Sequence, residues 1–334
     1  MALNIEELYE LRATLYPGGL MNAVLVRYGS GDVDYRAAIQ DEEFVYSVLK
    51  AIGVESYDEL QRYMRTESKV VFGDPLVFGH EVSRIVLIPM GDQIRIYMRR
   101  TLFQPIGEVL RRRKIDPEVG SFLERLLQIA VTETSPIPHI IFVGPTGSGK
   151  TLMQVSLLRI VAHTLPIVVV DVYPELILLA PRLREAINAG TAYYFLCVPI
   201  GLHYYENLDL EVAKRINNAD LIARTAGVKM VVFQETGTLG GPQTYENVRN
   251  LFTAAIPVCL TSHVPVNDDR LAVEVLRQRF RVPWGGSIIV GPTSVFWVGM
   301  GNDVVRILDM FTKKIDCTPS LPEQIYNFLM TYTL

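Results

Sequence analysis

The residues best suited to chemistry stand together at Gly144-Pro145-Thr146-Gly147-Ser148-Gly149-Lys150-Thr151. They fit G-x-x-x-x-G-K-[ST], the Walker A phosphate-loop pattern. Glycines let such a loop curl until successive N–H groups point inward at phosphate, and a helix beginning at Lys150 adds its positive dipole end. Lys150 is expected to reach the β- and γ-phosphates of ATP and the Thr151 hydroxyl to coordinate Mg²⁺. The context fits as well. His139-Ile140-Ile141-Phe142-Val143 has the length and apolarity of a buried parallel strand, and Leu152, Val155, Leu158 and Val161 recur at helical spacing behind the loop. The expected nucleotide-binding residues are therefore 144–151 together with Leu152.

Hydrolysis also needs carboxylates at the ends of neighbouring strands, to hold metal and to align water. Two apolar runs end that way. Residues 167–170 lead into Asp171, with Glu175 four positions on, and residues 230–233 lead into Gln234-Glu235. Glu235 is expected to share the metal with Thr151, and Asp171 or Glu175 to orient water. Residues 192–198 form a third strand candidate between the two runs. An extra strand between loop strand and metal-site strand marks ATPases in which a separate glutamate polarises water. A further run, 256–261, ends at Thr261-Ser262-His263, and strands of such sheets present their carboxyl ends to the ligand. His263 is thus a candidate γ-phosphate sensor.

The elements that must position these groups need two units, because single cores stop growing near about 250–300 residues and the chain has 334. With 49% hydrophobic and 20% charged residues it is not disordered. No apolar run approaches the roughly 20 residues of a membrane span. Glu6, Glu7 and Glu10 give the N-terminus the wrong charge for a leader, so a cytoplasmic protein is expected. Cys197, Cys259 and Cys317 lack ligand-like spacing, which argues against a disulfide framework or a zinc site. A net charge of −4 speaks against nucleic-acid binding over the whole surface.

Residues 1–100 read as a small α+β unit. Asn4 and Glu7 suggest a capped helix carrying Leu8, Leu11 and Leu15, stopped by Pro17-Gly18-Gly19. Residues 21–28 suggest a strand, 41–52 and 57–64 short helices, and 82–88 with 93–98 a hairpin. Residues 101–115, the most basic stretch, read as an interdomain linker. The phosphate-loop domain follows over 116–334, opening with a helix capped by Asp116 that has Pro117 at its first position. A hairpin is expected around Gly291-Pro292-Thr293-Ser294, a strand over 304–308, and a last helix capped by Ser320 and Glu323.

From about residue 70 onward the chain resembles the type II and type IV secretion ATPases, the family of pilus, conjugation and archaeal flagellar motors. Its loop is spelled as that family commonly spells it. Asp171-Val172-Tyr173-Pro174-Glu175-Leu176 stands where the family has an acidic box, with Val172 in place of its middle acid. Gln234-Glu235 can be laid on the family's Gly-Glu, without the arginine that follows there. Leu260-Thr261-Ser262-His263 matches its histidine box, and Ile94-Arg95-Ile96-Tyr97 resembles its arginine strand. The resemblance implies a RecA-like phosphate-loop motor domain behind a smaller α+β domain. It also implies Mg·ATP hydrolysis, a hexameric ring, a membrane-platform protein partner, and Arg95 or Arg99 reaching a nucleotide across a subunit boundary.

Other readings stay open on the residues alone. A nucleic-acid translocase would use the same loop but line a pore with basic or aromatic residues, and no aromatic-basic patch is evident. A phosphoryl-transferring kinase would need a small acceptor. A regulatory switch would bind nucleotide without turning it over.

Overall fold

The computed structural model describes the strand backbone of residues 8–16, 19–28, 33–38, 69–73, 82–90 and 93–101. It further describes residues 105–145, 147–172, 175–197, 208–234, 242–253, 256–266, 268–280, 285–301 and 303–332. Two compact units emerge, Met1–Leu102 with Val198–Tyr205 and Phe103–Cys197 with Glu206–Leu334.

In the first unit, strands β1 (Leu8–Tyr16), β2 (Gly19–Tyr28), β3 (Val33–Ala38), β4 (Lys69–Gly73), β5 (Val82–Met90) and β6 (Gln93–Thr101) form an antiparallel sheet, ordered β3-β2-β1-β6-β5-β4. The first segment is thus a strand and not the expected helix. Leu8, Leu11 and Leu15 are compatible with a helical stripe, but β1 pairs along its length with both β2 and β6, and two ladders outweigh a weak local propensity. The hairpin expected over 82–98 forms, with Val82 opposite Thr101 and Met90 opposite Gln93. The helices expected over 41–52 and 57–64 lie outside the described residues.

The second unit is built on a sheet of nine described strands. They are β7 (His139–Gly144), β8 (Ile167–Asp171), β9 (Ala192–Leu196), β10 (Met230–Phe233), β11 (Val258–His263), β12 (Ser287–Val290), β13 (Ser294–Val298), β14 (Val304–Asp309) and β15 (Lys314–Ile315). Their order is β15-β14-β13-β12-β7-β11-β10-β8-β9. The run from β12 to β9 is parallel and β13 to β15 antiparallel. The parallel strands are short apolar runs because helices such as Lys150–Val161 and Leu208–Thr225 pack on them, and Ile140, Ile141, Val169 and Val232 are fully buried.

One strand moves relative to expectation. Residues 192–196 do not intervene between the loop strand and the metal-site strand. β9 is the sheet's edge, paired with β8, and its Tyr193 is exposed, whereas the intervening strand is β11, buried through Ser262. Burial explains the exchange: Val258-Cys259-Leu260 suits a central position and Ala192-Tyr193-Tyr194 an edge.

The stretch read as a basic linker also differs. Residues Ile106–Arg112 form a helix whose Ile106, Val109 and Leu110 are buried, while Arg111, Arg112 and Lys114 face solvent. It crosses the helix Glu118–Thr132 closely, since a Cβ on Gly120 would strike the backbone of Gly107. The charges are therefore the wet face of an amphipathic helix. The next helix, Glu118–Thr132, has Pro117 at its N-cap and not as its first residue, and Asp116 accepts the Glu118 N–H at 2.9 Å from one position further out. Ser320 does not cap the last helix, Glu323–Thr331. Pro322 is its N-cap, and the Ser320 hydroxyl accepts the Trp297 indole N–H instead.

Candidate functional site

The loop leaves β7 at Gly144 and enters the helix Lys150–Val161 through Gly149, whose φ is +74°. That value favours glycine. Space demands it too: a Cβ on Gly149 would collide with Val109 Cγ1 and lie 3.1 Å from Arg113 Nη2, so the Ile106–Arg112 helix backs directly onto the loop. Across the loop, the Lys150 ammonium donates to the carbonyls of Gly144 at 3.0 Å and Pro145 at 2.8 Å. The ammonium is thus turned back onto the carbonyls of the loop's first two residues. Ser148 N–H donates to Pro145 O at 3.2 Å, and the buried Ser148 hydroxyl has no partner among the described residues. Thr151 and Leu152 lie half-buried in the first helical turn. Thr146 lies outside the described residues.

His263 closes β11 in register with Gly144, and the Val264 N–H donates to Gly144 O at 3.1 Å. The histidine's backbone thus runs beside the first residue of the loop, its own carbonyl accepting Arg279 Nη1 at 2.9 Å.

Two of the three candidate acids are described, and they differ in kind. Asp171 is completely buried. Its Oδ2 accepts the N–H of Leu176 at 3.0 Å, that of Ile177 at 3.4 Å and the Tyr194 hydroxyl at 2.9 Å. Burial pushes its carboxyl well above the usual range, against the opposing pull of the Tyr194 hydroxyl and the two backbone N–H groups. It anchors the start of the helix Glu175–Leu179. Glu175, the first residue of that helix, is half-buried, and its Oε2 accepts the amide N–H of Gln234 at 2.7 Å. Gln234 is fully buried at the end of β10, and its backbone N–H extends the β8 ladder to Val170 O at 3.0 Å. Glu235 lies outside the described residues. Arg95 and Arg99 stand on β6 in the first unit, opposite Arg12 and Leu8 of β1, and their side chains lie outside the described residues.

Sequence reasoning passed over two groups. Gln154, one turn beyond Lys150, is fully buried and donates to the carbonyl of Phe233 at 3.0 Å, which ties the loop helix to the end of β10. A glutamine interrupting an apolar stripe was the available signal. Arg113 was hidden in a charge run. Its Nη1 donates to Pro292 O at 2.9 Å beside the loop, and burial lowers its pKa against the opposing pull of Asp269.

Thr151, in the first helical turn at the loop's exit, carries a hydroxyl oxygen of the kind that would hold a hard cation such as Mg²⁺. Among the described residues no cluster of three His, Cys, Asp or Glu could hold a metal by itself.

No protein-family model matches the chain, and no curated protein does. Among solved structures, the VirB11 ATPase of the Brucella suis type IV secretion system, in complex with sulphate, is similar over 90% of this chain and 92% of its own. Its sequence identity is 14% and its TM-score 0.34. The flagellar accessory protein FlaH of Methanocaldococcus jannaschii is similar over 54% of this chain and 91% of its own, at 10% identity and a TM-score of 0.28. Neither likeness adds to the topology itself, in which β11 separates the loop strand from β10. The chain is a mixed α/β protein whose larger unit has a nine-stranded, mostly parallel sheet, and a type IV secretion ATPase and an archaeal flagellar accessory protein stand among the structures it resembles.

Proposed function

We propose that the chain is a Mg²⁺-dependent ATPase of the secretion, pilus and conjugation motor type. The observation that carries this reading is the loop. A glycine turn joins a buried central strand to a helix, and the ammonium of the helix's first residue reaches back to the carbonyls of Gly144 and Pro145. In the proposed mechanism the loop N–H groups and Lys150 neutralise phosphate charge. Thr151 and Glu235 are the residues that would hold Mg²⁺, which when bound neutralises the β- and γ-phosphate oxygens. An acid at the strand ends would orient water, and His263, in register with Gly144, would sense the γ-phosphate. We further propose that six copies form a ring in which Arg95 or Arg99 of one copy completes the site of the next. A membrane-platform protein would then receive the motion between the two units. No helix among the described residues is long and apolar enough to cross a membrane, so such an association would be peripheral.

The test is phosphate release from Mg·ATP by the purified protein and by Lys150→Ala. Removing one preorganised charge donor costs about 10²–10³-fold in turnover, so the variant should fall by at least about 100-fold. Equal rates in the two proteins would refute the proposal.

A further inference from the structure

We infer that Glu175 is the acid that orients the attacking water, and that Gln234 is the positioning residue that aims it. This rests on the function proposed above and adds what that reading leaves open, the division of labour among the acids. Asp171 is withdrawn from the choice by its surroundings, since it is completely buried, Tyr194 and two backbone N–H groups occupy its Oδ2, and its other oxygen is sealed from solvent. A carboxyl so placed anchors a helix. Glu175 is the first residue of that helix and is only half-buried, so water can reach it.

What fixes Glu175 is the 2.7 Å bond from Gln234, a charge-assisted contact of the stronger kind. Gln234 is itself immobilised twice. Its backbone N–H is pinned to Val170 O, and the carbonyl of the preceding Phe233 accepts Gln154 from the loop helix. A continuous path therefore runs from the helix that begins at Lys150, through Gln154 and the peptide joining Phe233 to Gln234, to the carboxylate of Glu175.

In the hydrolytic step the oxygen of water bonds to the γ-phosphorus and the bridging bond to the β-phosphate oxygen breaks, its electron pair leaving with ADP. One proton of the water remains on the released phosphate. The other passes by way of Glu175 to solvent.

The experiment is a double-mutant cycle on the full chain with Gln234→Met, which keeps length but loses the donor, and Glu175→Gln. Misplacing a reacting group by about 1 Å costs on the order of 100-fold. Gln234→Met should therefore lower kcat by about 10–100-fold, leaving KM for Mg·ATP and binding of a non-hydrolysable ATP analogue within about twofold of wild type. Glu175→Gln should lower kcat at least as far. The double variant should match Glu175→Gln alone if the catalytic effect of Gln234 passes through its 2.7 Å bond to Glu175. Gln234→Asn retains the amide but ends one methylene short. It should behave as Gln234→Met does, and it serves if Gln234→Met melts below the assay temperature.

Unchanged kcat in the Gln234 variants, or losses that multiply in the double variant, would overturn the inference while Lys150-dependent turnover stands. Absence of Lys150-dependent turnover in the wild type would overturn the proposed function, and this inference with it.

Discussion

Acid should loosen the strand that carries the loop, and the size of the effect follows from one histidine. His139 opens β7, and its Nδ1 accepts the N–H of Val258 at 3.1 Å, at the start of β11. Its ring lies 4.8 Å from that of Phe252. Burial lowers the imidazole pKa from 6.5 to about 4, and protonation would also take the lone pair that receives Val258. The folded state therefore prefers the neutral ring. As pH falls below 6.5 the unfolded chain binds a proton that the folded chain refuses, and stability declines until both forms are charged below about pH 4. At 1.36 kcal/mol per unit, the gap amounts to about 3 kcal/mol. That is a large part of the roughly 5–15 kcal/mol available to a domain. His139→Asn can present an oxygen to the same N–H and does not titrate. Chemical unfolding of both proteins between pH 7.5 and 4 should show the wild type losing about 3 kcal/mol relative to its own neutral value beyond what the variant loses. Taking the difference cancels the other titrating groups. Parallel stability curves would refute the reasoning, as would a His139 proton titration centred near 6.5.

Two further substitutions probe the site from either side. Burial raises the pKa of Asp171, so its contribution is fully present below the unfolded value of 3.8 and is lost as pH rises through the folded one. Asp171→Asn should therefore gain stability relative to wild type as pH increases from 4 to 8, read by thermal melts, and a constant difference would count against a raised carboxyl pKa. Gly149→Ala places a Cβ in a backbone conformation that costs about 1–2 kcal/mol for an L residue, and drives it into Val109. It should lower Tm and weaken binding of a non-hydrolysable ATP analogue, with Val109→Ala in the same chain restoring part of the stability. A neutral Gly149→Ala would mean that the loop has another shape.

The loop was legible because its signal is local: strand, glycine turn and helix are contiguous, and each part constrains the next. The ends of β8 and β10 were legible for the same reason, an apolar run that stops at a polar residue. What could not be read was which strand lies beside which. Residues 192–196 and 258–263 are both short β-formers, and only the greater apolarity of Val258-Cys259-Leu260 hinted at a central place. Residues 8–16 were misread because leucines three and four apart satisfy a helix locally, while the ladders that make them a strand come from residues as distant as Arg99. The basic run at 111–114 hid a buried face, since its partners Ile106, Val109 and Leu110 lie just upstream of the charges. The contacts that organise the acids, Gln154 to Phe233 and Gln234 to Glu175, span 79 and 59 positions and had no local trace.

Polarity along the parallel strands supplies an argument for the site that is independent of any likeness. In β11 the sequence turns from Val258-Cys259-Leu260 to Thr261-Ser262-His263 as the strand runs toward Gly144. β8 turns polar at Asp171 and β10 at Gln234, and the register sets Val170, Phe233 and Leu260 side by side just before the change. A sheet buried on both faces has no structural need for such a border, since apolar residues would fill it at lower cost. The cost is visible. Ser262 Oγ, Gln154 Oε1 and Ser148 Oγ are buried without a partner among the described residues, as is Ser287 Oγ at the opposite end of the sheet, and an unmet buried polar atom costs about 1–3 kcal/mol. Under the proposed function a phosphate-bearing ligand at the loop's end of the sheet would offset the cost of the first three, and the loop between β7 and its helix is the part of the border whose residue types suit phosphate.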